Sequence, residues 1–154
     1  QVLTAAGGSF TNTGSGTLNV TGADFTGLGT LDNMSSAEFG VTVDAGRTLG
    51  VGTLTNFAGS GILNNGTVAV GGATLINQAG ATFTNNGTVT GPVVNFGTLI
   101  ANSGSSFGGG TFSNEASGLF RVTGAVGVGT GGGAASNTGT IDLVGNGTAD
   151  RQRV

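Results

Sequence analysis

The chain has 154 residues, one domain by length, with 34 glycines, 7% charged residues and no Lys, His, Cys, Trp or Tyr. Its net charge of −3 sets seven carboxylates against four arginines, too few cations to line a nucleic-acid groove. The absence of His, Cys and Lys removes the usual general bases, most nucleophiles, disulfides and thiolate metal sites, so neither an enzyme nor a bound cofactor is expected.

Other classes fall on the same residues. The single proline, Pro92, rules out collagen. No apolar run approaches the roughly 20 residues of a spanning helix. An outer-membrane barrel would carry girdles of Trp and Tyr. A mean hydropathy of +0.23 and periodic apolar residues argue against disorder. The chain starts at Gln1 with no methionine or signal peptide, and reads as a processed or excised segment.

Along the chain an asparagine recurs in one apolar setting: Asn12, Asn33, Asn56, Asn77, Asn95, Asn114 and Asn137. The spacings are 21, 23, 21, 18, 19 and 23. Two residues before each lie Phe10, Leu31, Leu54, Leu75, Val93, Phe112 and Ala135. Six residues after each lie Leu18, Phe39, Ile62, Phe83, Ala101, Phe120 and Leu143, and a one-residue slip at Ala101 would bring Ile100 into line. A polar column between two apolar ones, at a fixed period, marks one unit stacked on copies of itself.

Short runs rich in β-branched residues, such as Val41–Val43, Thr67–Val70 and Thr88–Thr90, alternate with Asn-Gly, Gly-Gly and Ser-Gly turn signals. No segment carries an apolar stripe at helical spacing, and frequent glycine penalises a helix. Strands of three to six residues, two or three per repeat, fit a 21-residue period. The expected fold is all-β: a single-stranded parallel β-helix, or three-sided β-solenoid, of about seven coils. Residues 1–154 form one domain, with a non-repeat tail at 145–154. At about 4.8 Å per coil the rod would be about 34 Å long. The column asparagines are expected at corners, tolerating left-handed backbone and bonding coil to coil as an amide ladder. Asn64 and Asn85 would begin a second, short ladder.

Copies of Asn-x-Gly-Thr-[Val/Leu/Ile] stand at 64–68, 85–89, 95–99 and 137–141. In these motifs the chain resembles the repeats of filamentous-haemagglutinin-type adhesins and autotransporter passengers. The resemblance implies a right-handed β-helix exported by a Gram-negative bacterium, extracellular or at the cell surface, with a structural and adhesive role. The implied partners are a surface glycan or protein.

The remaining chemistry is sparse. Asp24 lies 12 residues after Asn12 and Asp44 11 after Asn33, a near-match that would suit a polysaccharide-binding or -cleaving β-helix or a loose calcium site. Solvated corner carboxylates are the plainer reading. Threonine pairs at Thr53/Thr55, Thr82/Thr84 and Thr88/Thr90 are not a multiple of 21 apart, so no single ice-binding row is expected. Glycosylation sequons occur at Asn19, Asn33, Asn65, Asn86 and Asn146, and Arg151 and Arg153 lie in the tail. Apolar Val2-Leu3 at one end, and Ile141 with Leu143 at the other, leave both ends without polar caps. Either longer chain continues, or the ends stack on another copy in a homopolymeric filament or matrix fibre.

Overall fold

The computed structural model describes residues 2–145 and contains strands and turns but no helix among them. The tail from 146 onward, with Asp150, Arg151, Arg153 and the Asn146 sequon, lies outside the described residues. All strand pairs are parallel, and each strand pairs with the equivalent strand of the coils before and after it. Among the described residues the product is a three-sided β-solenoid of seven coils.

Face one is built from Val2–Thr4, residues 24–28, residues 48–51, Thr67–Val70, Thr88–Thr90, Ser106–Gly108 and Gly127–Gly129. Face two is built from Ser9–Gly14, residues 30–35, residues 53–56, Leu75–Asn77, Val93–Asn95, Phe112–Asn114 and Ala135–Asn137. Face three runs Leu18–Val20, Val41–Val43, Gly61–Asn64, Thr82–Asn85, Thr98–Asn102, Leu119–Thr123 and Thr140–Leu143. The long strands Asp24–Ser35 and Thr48–Asn56 cross from face one to face two without a break. Faces one and two therefore join into a single 12-stranded sheet, and face three is a separate seven-stranded one.

The core is the inside of this prism. Strand alternation turns every second side chain inward. On face two the expected column holds: Phe10, Leu31, Leu54, Leu75, Val93, Phe112 and Ala135 stand in register. Leu31, Leu54 and Leu75 are completely buried. On face one the column is Phe25, Leu49, Val68, Val89 and Phe107, and the sequence pattern did not single it out. Burying each such side chain stabilises by about 1.5–3 kcal/mol. Coil six is filled by three phenyl rings, one per face: Phe107, Phe112 and Phe120, with centroids 4.9–6.0 Å apart.

The third column differs from expectation at three positions. Its members are Leu18, Val41, Ile62, Phe83, Leu99, Phe120 and Ile141. Phe39 sits in a turn, half-buried, two residues before Val41. Ala101 and Leu143 point inward but belong to the next column, with Val20, Val43, Asn64, Asn85 and Val122. Ile100 lies on the outward side between Leu99 and Ala101, so the slip is two residues rather than one. The cause is corner length. The corner from face two to face three is tight at Asn95-Phe96-Gly97-Thr98 and Asn137-Thr138-Gly139-Thr140, and two residues longer at Asn56 and Asn77. At Asn33 it is longer still.

Phe10 and Leu143 occupy core columns yet are 38% and 51% exposed, because each lies on an end coil. Glycine has two separate jobs at the corners. Gly59 and Gly80 take φ of 81° and 82°, which an L side chain resists. Gly61 instead permits close approach, since a Cβ there would fall 1.8 Å from the Glu38 carbonyl oxygen.

Candidate functional site

The polar chemistry of this chain concentrates in its interior. The seven column asparagines lie at or near the ends of the face-two strands with side chains turned inward, and Asn33, Asn56, Asn77 and Asn95 are completely buried. Each amide donates to the amide of the next coil: Asn12 to Asn33 (3.1 Å), Asn33 to Asn56 (2.9 Å), Asn56 to Asn77 (3.0 Å), Asn77 to Asn95 (2.8 Å), Asn95 to Asn114 (2.7 Å) and Asn114 to Asn137 (2.7 Å). All seven expected residues are thus in one unbroken line.

Each interior Nδ2 also donates to a backbone carbonyl of the next coil, where face three begins. Asn56 reaches Thr82 at 2.9 Å, Asn77 reaches Thr98 at 3.0 Å, and Asn114 reaches Thr140 at 3.0 Å. One side chain thus stitches coil to coil twice, at a corner where the backbone has left the sheet ladder. A buried amide without partners would be costly, and paired ones contribute about 1 kcal/mol per bond. No residue other than glycine has a positive φ among the described residues. The expectation that these asparagines use left-handed backbone is therefore corrected. They keep extended strand geometry, and after Asn12, Asn56 and Asn77 a glycine of the same corner (Gly14, Gly59 and Gly80) takes the positive φ instead.

The second ladder is present. Asn64 donates to Asn85 at 2.8 Å, and both are completely buried on face three. Their Oδ1 atoms accept the N–H of Gly66 (3.1 Å) and Gly87 (3.3 Å), which closes the tight corner toward face one. A third line was not foreseen: on the outside, Asn102 donates to Asn86, Asn86 to Asn65 (2.6 Å), and Thr123 to Asn102 (2.7 Å). Its signal was available in the doubled Asn64-Asn65 and Asn85-Asn86, whose second members repeat at 21 residues and must face outward if the first face in.

Asp24 and Asp44 are not brought into one column. Asp24 accepts the backbone N–H of Thr48 at 2.9 Å, one coil above it on face one. Asp44 follows face three, its N–H donating to the Val20 carbonyl and its successor in the column being Asn65. The threonine pairs fall on three different faces: Thr53/Thr55 on face two, Thr82/Thr84 on face three and Thr88/Thr90 on face one. Asn33, one of the sequons, is enclosed in the ladder and has no room for a glycan. Asn19 and Asn86 are exposed.

Arg121 and Asp142 pair at 2.9 Å across coils six and seven, both about two-fifths exposed. No helix among the described residues is long and apolar enough to cross a membrane. Compared with family models, curated proteins and solved structures, the chain matches none.

Proposed function

We propose that this chain is a non-enzymatic structural and adhesive β-solenoid of a bacterial surface or secreted protein, of the filamentous-haemagglutinin and autotransporter-passenger kind. The observation that carries the reading is the direction of the polar chemistry. The longest set of side-chain hydrogen bonds runs inside the rod and joins coil to coil. The carboxylates singled out for chemistry are spent on structure or set apart, as Asp24 on Thr48 N–H shows. Such a rod holds its outer faces at fixed spacing and displays them to a glycan or protein, and its role is reach and contact. The fold alone does not specify a ligand, so the role rests on the repeat motif and this inward chemistry.

The test sets adhesion against turnover. Fluorescently labelled chain is applied to a glycan array and to host epithelial cells, and bacterial and plant polysaccharides are assayed for release of reducing ends. Saturable binding without depolymerisation is expected. Depolymerisation that disappears in Asp24→Ala or Asp44→Ala would overturn the reading in favour of a polysaccharide-acting β-helix.

A further inference from the structure

The amide ladder sets a second line of side chains on the outside of face two. With each column asparagine turned inward, the residue that follows it faces out. These residues stand in register because each backbone N–H donates to the asparagine carbonyl one coil earlier: Phe57 to Asn33, Gln78 to Asn56, Phe96 to Asn77 and Glu115 to Asn95. Met34 holds the same place on coil two. Met34 is 44% and Phe96 39% exposed, and Phe57 is half-buried. Beside Gln78 and Phe96, on the same side of the strand, stand Ile76 and Val94. A contiguous apolar strip of this kind, unlike a single exposed apolar residue, marks a contact surface.

Charge limits what the strip can hold. From Thr48 to Asn114 the sequence has no charged residue. Carboxylates bound the strip at both ends, Asp32 on coil two and Glu115 on coil six. Among the described residues the two arginines lie elsewhere, Arg47 just before a face-one strand and Arg121 on face three with Asp142. An anionic polymer would meet only like charge. Two copies joined strip to strip by a two-fold axis would set carboxylate against carboxylate, whether the rods ran parallel or antiparallel.

We infer that the strip binds a neutral, linear β-1,4-linked glycan lying along the rod. The inference rests on the adhesive reading and names its ligand class. Phe57 and Phe96 are two coils apart, about 10 Å along the axis. A β-1,4-linked chain is a flat ribbon whose sugars alternate in facing, and its disaccharide repeat is very nearly that length. Every second sugar therefore presents its axial C–H bonds to a ring, and the π faces attract such positive edges. Gln78 stands between the rings. Among the described residues its side-chain amide makes no hydrogen bond within the chain, which leaves donor and acceptor for the intervening sugar's hydroxyls. An α-1,4-linked chain of the same sugar curls and cannot follow the line.

Isothermal titration calorimetry with cellohexaose, chitohexaose, maltohexaose and hexagalacturonate tests this. Saturable binding of one or both β-linked hexasaccharides is expected, and which of them binds separates a glucan from a chitin-type source. Phe96→Ala should weaken binding by about tenfold or more, the loss of one stacking contact. Gln78→Phe with Phe96→Gln keeps the composition but brings the rings onto adjacent coils, and it should lose binding as fully. Circular dichroism confirms that both variants keep their β-structure. Failure of both β-linked ligands to bind, equal binding of maltohexaose, or unchanged affinity in the swapped variant would overturn the inference. Attachment to cells or to other glycans that persists in Phe57→Ala with Phe96→Ala would also overturn it, while leaving the adhesive role in place. Ring-dependent binding of a β-linked hexasaccharide supports the inference even where no cell is bound.

Discussion

The two buried amide ladders use the same side chain for different ends. The long one passes through all seven described coils, so each interior rung meets a like rung above and below. The short one occupies coils three and four only, within a column that is otherwise Val20, Val43, Ala101, Val122 and Leu143. A uniform ladder gives strength at every level but no address, since shifting one coil past another restores the same bonds. The short pair gives an address. Slippage by one coil would set Asn64 against Ala101, or Asn85 against Val43, and break the buried Asn64–Asn85 bond, at about 1–3 kcal/mol. A lone polar pair in an apolar seam sets register in this way in coiled coils.

The largest effect should come from cutting the long ladder at its centre. Asn77→Leu removes the acceptor of Asn56, the donor of Asn95 and the bond to the Thr98 carbonyl. Three buried groups lose partners, so a loss of about 3–5 kcal/mol is expected. Because each coil contacts only its neighbours, the cut should also split cooperativity. Hydrogen exchange should then show the coils on either side opening independently. A single sharp urea transition at the wild-type midpoint would remove the ladder from the account of stability.

The short ladder should be easier to erase whole than by halves. Asn85→Val leaves the Asn64 amide with one unpaired N–H and frees the Gly87 N–H, a loss of about 2–3 kcal/mol. Asn64→Val with Asn85→Val completes an aliphatic column, and should cost about 1–2 kcal/mol, less than the two single changes added together. The denaturation midpoints of the four proteins give the coupling. Additive losses would show that the two amides do not act as a pair.

Residue chemistry made some of this visible beforehand and hid the rest. The long ladder and the column from Leu31 to Phe112 were legible because both ride on one strand, two residues apart, where no insertion intervenes. The third column was displaced at Phe39, Ala101 and Leu143 because a corner lies between it and the anchor asparagine. Corners change length without disturbing the coils they join. The motif Asn-x-Gly-Thr-aliphatic was itself the marker of the tight corner. It serves between faces two and three at Asn95 and Asn137, and between faces three and one at Asn64 and Asn85. A single alignment column cannot show that one turn is used at two places in the coil. The near-match of Asp24 and Asp44 failed for the same reason, since counting from an asparagine across a corner of variable length does not give a place on a face.

The smallest effect is expected where the long ladder ends. Asn137 is exposed, receives one bond from Asn114 at 2.7 Å and, among the described residues, donates only within its own corner. In Asn137→Ala the Asn114 amide keeps its bond to the Thr140 carbonyl, and water can reach the freed N–H. The loss should therefore be about 0.5 kcal/mol or less, the range of a surface substitution, against several for the same amide removed at Asn77. Urea denaturation of dilute, monomeric protein measures it apart from any association. The contrast is what a ladder requires: an interior amide is held by both neighbours and an end amide by one. If Asn137→Ala unfolded the chain as readily as Asn77→Leu, each asparagine would be serving its own corner and the line between them would carry little.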